Sequence, residues 1–124
     1  MYITDYFRRI DDAISNCPAI ICKEVLFEQR TKYIGFIRGT LTFRDGSELY
    51  FKEFVDTEVG ITKYKYGYHY QKDNKLIFRY DNHPYPTKKD IPTHHKHVST
   101  EENILPASIP NIEDVLREIL FCLP

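Results

Sequence analysis

Tyr33-Ile-Gly-Phe-Ile-Arg-Gly-Thr-Leu-Thr-Phe43, Arg44-Asp-Gly-Ser47 and Glu48-Leu-Tyr-Phe-Lys-Glu-Phe-Val55 follow one another without a break. In the first run Ile37, Leu41 and Phe43 fall on one side of a period-two ribbon, with Phe36, Arg38, Thr40 and Thr42 on the other. In the last, Leu49, Phe51, Glu53 and Val55 alternate with Tyr50, Lys52 and Phe54. Asp45-Gly46 between them is a strong hairpin signal, since glycine supplies the positive φ that tight antiparallel turns require. Upstream, residues 19–29 form another β-rich run, broken by the polar Arg30-Thr31-Lys32. Downstream, residues 61–71 and 75–81 form two more, joined by the turn Lys72-Asp73-Asn74. Short turns exclude parallel crossovers, so the expectation is an antiparallel meander of about five strands.

Helical periodicity appears only at the two ends. Tyr6, Phe7, Ile10, Ala13 and Ile14 share one face of a helix expected over residues 4–16, with Thr4-Asp5 as its cap and Cys17-Pro18 as its stop. Ile112, Val115, Leu116, Ile119 and Leu120 mark a second amphipathic helix, capped by Asn111 and with Glu113 and Asp114 at its positive end. Between the last expected strand and this helix, residues 83–110 hold five prolines and few apolar residues, which reads as a long His/Pro-rich loop. The fold class is therefore α+β, a single domain over residues 1–124 with terminal helices flanking the meander.

Composition narrows the class further. Ten Tyr and eight Phe with no Trp favour strands and a surface that stacks or hydrogen-bonds ligands. A net charge of −1 excludes a globally basic nucleic-acid binder but leaves local patches open. Three cysteines, Cys17, Cys22 and Cys122, form no disulfide framework or metal spacing; they read as thiols that meet in the core beside the helices. No apolar run can span a bilayer and the polar start has no signal-peptide core, so a cytoplasmic protein is expected.

Chemistry concentrates late in the chain. Four of the five histidines, His83, His94, His95 and His97, fall within fifteen residues, after the segment Phe78-Arg79-Tyr80-Asp81-Asn82. Groups titrating near neutral pH and gathered so closely suit proton transfer, phosphate binding or metal coordination.

Tyr68-His69-Tyr70-Gln71, Phe78-Arg79-Tyr80-Asp81-Asn82-His83-Pro84 and His94-His95-Lys96-His97-Val98 together resemble the TumE family. Its members are the toxin components of bacterial and archaeal toxin–antitoxin pairs. The resemblance covers most of the chain, including the Glu-Leu-Tyr-Phe-Lys-Glu-Phe segment and the amphipathic tail. It implies a type II toxin, cytoplasmic and paired with a DNA-binding antitoxin, and leaves the toxic chemistry open. The family pattern has further histidines just after the Asn-x-Pro segment, where this chain has Tyr85-Pro86-Thr87. That departure shifts weight onto His83 and the downstream group.

Three readings of the residues stand side by side. The first is metal-independent cleavage of single-stranded RNA, with His69 and His95 as acid and base and Arg79 and Lys96 stabilising charge. Tyr66, Tyr68 and Tyr70 would stack bases, Lys63 and Lys65 would track the backbone, and Asp81, His83, His94 and His97 would complete the binding site. The second is a divalent metal held by His95, His97 and Asp81, although no defined ligand motif is present. The third is a binding surface for the antitoxin, formed by the Tyr face and the proline-rich loop; in a purely structural alternative the Tyr ladder covers the sheet against the first helix. Lys52 and Glu53 point to opposite faces, so only one of them can share the histidine face. Gly67, between Tyr66 and Tyr68, marks a bulge or the close approach of another group.

Overall fold

Strand alternation organises the molecule, and it does so in a longer sheet than the hydropathy pattern shows. The computed structural model describes residues 1–84 and 93–124. The chain runs α1 (Ile3–Ser15), β1 (Ile20–Gln29), β2 (Ile34–Phe43), β3 (Glu48–Asp56), β4 (Thr62–Lys72) and β5 (Lys75–Asp81). It continues through β6 (His95–Val98), β7 (Ile104–Pro106) and α2 (Ile112–Cys122). All seven strands lie in one sheet in sequential order, each pair antiparallel.

Five strands were expected; the sixth and seventh come from the stretch read as loop. In β6 the inward–outward alternation is carried by histidine and lysine rather than by apolar residues, so periodicity could not reveal it. Tyr85-Pro86-Thr87, where the sequence departs from the family pattern, lies outside the described residues.

Both helices pack on one face of the sheet. Ile37, Leu41, Phe43, Leu49, Phe51 and Val55 from the central hairpin meet Ile3, Tyr6, Ile10 and Ile14 of α1 and Ile112, Val115, Leu116 and Ile119 of α2. Each large apolar side chain so buried contributes about 1.5–3 kcal/mol. Gly35 lets α1 come close, since a Cβ there would sit 2.6 Å from a Phe7 ring carbon. Gly46, at φ +84, closes the β2–β3 hairpin.

Helix α1 begins differently from the expectation. Thr4 and Asp5 lie inside it, and its start is fixed by the Ile3 amide donating to the Lys32 carbonyl at 2.8 Å. Helix α2 does use Asn111, whose side chain accepts from the Asp114 amide at 2.8 Å in a reciprocal capping box. Cysteines do not gather in the core: Cys17 is buried, but Cys22 and Cys122 are exposed.

One irregularity redirects two side chains. Phe54 pairs with Lys65 and Val55 with Lys63, which leaves Tyr64 as the extra residue of a β-bulge. Lys63, expected on the outer face, therefore turns inward, while Tyr64 turns outward. Lys63 donates to the Tyr68 hydroxyl at 2.6 Å and the Pro110 carbonyl at 2.7 Å, with Glu53 at 3.5 Å. Tyr6 and Tyr68 hydroxyls both donate to Glu53, so this buried carboxylate ties α1, β3 and β4 together. Burial lowers the Lys63 pKa, against the opposing pull of Glu53.

Candidate functional site

Residues on the helix-free face form two rows running across the strands. Thr40, Tyr50, His69, Arg79 and His97 are successive cross-strand partners from β2 to β6. Beside them run Leu26, Arg38, Lys52, Gly67, Asp81 and His95, from β1 to β6. The register thus brings His69, Arg79, Asp81, His95 and His97 onto one face from three strands. The open part of this face is a groove of about 1360 Å³ whose lining includes Arg38, Tyr50, Lys52, Lys65, His69 and His83.

Arg79 is the hub of the buried end. Its Nε lies 2.6 Å from Asp81 Oδ2, its Nη2 2.8 Å from Glu101 Oε2, and its Nη1 donates to Glu101 Oε1 at 3.1 Å. Nη2 also meets His97 Nε2 at 3.1 Å. His97 Nδ1 is 2.8 Å from the Glu101 carbonyl oxygen. A carbonyl only accepts, so Nδ1 carries the proton and Nε2 accepts from Arg79. His95 Nε2 lies 2.5 Å from Asp81 Oδ1. Asp81, His95 and His97 offer ligand atoms within 4.8 Å of one another, the set expected for a divalent ion, but Arg79 already engages Asp81 and His97.

His95 and His97 are 1% and 0% exposed. His95, expected as an acid–base partner in a loop, is instead a buried residue of β6 with Nε2 against Asp81.

His69 differs. It is half-buried at the groove wall, and its Nε2 donates to Gln71 Oε1 at 3.1 Å. That tautomer leaves Nδ1 as an acceptor, and Nδ1 has no partner among the described residues. Next to it the Lys52 stem lies over Gly67: a Cβ there would stand in ordinary contact, 3.5 Å from Lys52 Cε and 3.9 Å from Asp81 Cβ.

A family model described as Toxin TumE matches residues 10–121, nearly the whole chain. The chain belongs to the TumE toxin family. No curated protein and no solved structure matches it at a significant level. Membership makes the chain the toxin of a toxin–antitoxin system, with a cognate antitoxin as partner.

Several residues expected at the toxin's site lie elsewhere. Tyr66, Tyr68 and Tyr70 are 2%, 0% and 0% exposed on the helix side, so none presents a ring face to a base. Burial, with the Asp81 charge adding to it, pushes the Tyr66 pKa to about 12. Lys96 also faces the helices, donating to Glu118 of α2 at 2.9 Å; Tyr80 donates to the same carboxylate at 2.6 Å. Burial pulls the Lys96 ammonium down, but its bonds to Glu118 and Tyr80 more than offset that and raise its pKa. His94 stacks on Tyr66, ring centroids 5.9 Å apart. His83 is exposed at the groove rim, its amide donating to Asp81 Oδ1 at 3.2 Å.

Of the pair that sequence left undecided, Lys52 shares the histidine face of the toxin and Glu53 does not. Arg38 and Tyr50 were missed as site residues. The signal lay in strand parity, which puts both on the Lys52 face once the hairpin register is known.

Proposed function

We propose that this toxin is an endoribonuclease that cleaves single-stranded RNA on the helix-free face of its sheet, in the cytoplasm and without a metal ion. One observation carries the reading. Arg38, Lys52 and Lys65 line the groove on that face, and among the described residues none has a carboxylate within 4.0 Å of its charged nitrogens. Arg38 and Lys52 are direct cross-strand partners, and like charges so placed repel unless an anion lies between them. A phosphodiester is such an anion, and the groove that these cations line has room for it beside Lys52.

His69 Nδ1 then takes the proton of the ribose 2′-hydroxyl. The 2′-oxygen bonds to phosphorus as the bond to the 5′-oxygen breaks, giving a 2′,3′-cyclic phosphate. The leaving 5′-oxygen takes its proton from water in the open groove. Lys52 and Arg79 stabilise the added charge, and Asp81, His97 and Glu101 hold the guanidinium in place. Arg79 engages Asp81 and His97, two of the three side chains that would hold a divalent ion, which favours metal-free chemistry. The partner antitoxin would supply the DNA-binding half of the pair, because this chain, at net charge −1, has no global basic field.

The test is incubation of purified toxin with single-stranded RNA, with and without chelator. Cleavage is expected in both, ending in cyclic phosphate, and His69→Ala should lower the rate by about 10²- to 10⁴-fold. Intact RNA with the wild-type toxin, or full rates in His69→Ala, would overturn the proposal.

A further inference from the structure

The aromatic residues expected to stack bases are buried, yet the groove face carries a different set. Along β3 the outward positions read Tyr50, Lys52, Phe54, an aromatic ring on either side of a cation. Tyr50 is 40% exposed and lies beside His69, ring centroids 6.3 Å apart. Four residues away, Phe54 pairs across the sheet with Phe36 and touches the Tyr64 ring at 5.7 Å; Tyr64 is 52% exposed next to Lys65. Both tyrosine hydroxyls are tethered to nearby carboxylates, Tyr50 to Glu48 at 2.9 Å and Tyr64 to Asp56 at 3.1 Å.

Open apolar rings next to unpaired cations are poor neighbours for water alone. They match a chain of alternating phosphates and flat apolar bases, whose bases stack on rings in a sequence-tolerant way. A duplex cannot use them, because its bases are already stacked inside the helix. The span from Tyr50 to Phe54 is about 13 Å at roughly 3.3 Å per strand residue.

We infer that the toxin reads two unpaired nucleobases flanking the phosphate at Lys52, one stacked on Tyr50 beside His69 and one on the Phe54–Tyr64 pair beside Lys65. This rests on the RNA reading of the groove and adds to it the residues that make the site selective for unpaired nucleotides.

Binding is to be measured by fluorescence anisotropy at fixed salt, using an eight-nucleotide RNA methylated at every 2′-oxygen so that no cleavage intervenes. The same strand in a duplex and inorganic polyphosphate serve as comparisons. The single strand should bind at least about tenfold tighter than the duplex. Tyr50→Leu and Phe54→Leu should each weaken it about 5- to 100-fold and leave polyphosphate binding unchanged. Tyr50→Phe, which keeps the ring, should bind as wild type.

Lys52→Ala should weaken single strand and polyphosphate alike. Equal affinity for duplex and single strand, or unaltered binding by Tyr50→Leu, would overturn the inference. Selective binding without cleavage of unmodified RNA would strike the nuclease proposal alone. Cleavage indifferent to Tyr50 and Phe54 would strike this inference alone.

Discussion

Arg79 touches Asp81, Glu101 and His97 at once, which only a planar fork with several donors can do. A lysine there would satisfy one of the three and release the others. Arg79→Lys is therefore expected to lower RNA cleavage by about 10²-fold while the circular dichroism spectrum stays native. Wild-type turnover would mean the fork is not part of the chemistry.

His95→Ala should behave in another way. Its ring is sealed against Asp81, so truncation leaves a cavity and an under-partnered carboxylate, at a cost of about 1–3 kcal/mol. A lowered urea midpoint in that variant with cleavage retained, against cleavage lost in Arg79→Lys, separates a supporting residue from a chemical one. The cluster itself was legible from His69, Arg79 and the late histidines. Their unequal roles were not, because exposure depends on what lies above each ring.

At the scale of elements, turn chemistry and capping were readable and the bulge was not. Asp45-Gly46 closes the hairpin as its residue types require, and Asp45 also accepts from the Ser47 amide at 3.0 Å. The inward turn of Lys63 follows from a register shift between Phe54 and Val55, which no single strand's alternation encodes. Nor could alternation find β6, whose buried positions are histidines that depend on partners in β5.

The inward Lys63 produces an energetic signature. Glu53, fully buried, holds Tyr6, Tyr68 and Lys63. Glu53→Ala leaves a buried ammonium and two hydroxyls without their acceptor and should cost about 3–5 kcal/mol. Replacing both charges, as Glu53→Leu with Lys63→Met, should recover the part of that loss that comes from the unpaired ammonium, while the Tyr6 and Tyr68 hydroxyls still lack their acceptor. Urea denaturation of the two variants decides it. Equal destabilisation of single and double variants would mean that packing, not charge, sets the cost.

At the scale of the whole molecule, one face of the sheet is core and the other is site, and pH and salt act on them separately. On the core side, the pKa values of Tyr6 and Tyr68 are raised, chiefly by burial and then by the charge of Glu53, and burial raises that of Tyr66 to about 12. Groups with raised folded pKa values contribute stability below the unfolded value of 10.0, and that contribution is lost as pH climbs past it. The urea midpoint should therefore fall steeply between pH 10 and about 12, with the buried Tyr6, Tyr66 and Tyr68 adding their tyrosinate absorbance on unfolding. Lys63, whose lowered pKa acts in the opposite direction below 10.5, is one group against these three and the likewise raised Tyr70 and Tyr80.

On the site side, a net charge of −1 hides a surface where Arg38, Lys52 and Lys65 converge, a separation that composition cannot express and strand register can. Binding there releases counterions from RNA, so the logarithm of the affinity should fall linearly with log salt, at about 0.7 per phosphate neutralised on a single strand. Three groove cations set a slope near −2, and Lys52→Ala should reduce its magnitude by just under one. Lys96→Ala, altering a cation of similar type that faces the helices, should leave the slope unchanged. Equal slopes for wild type and Lys52→Ala would place the RNA path off this face.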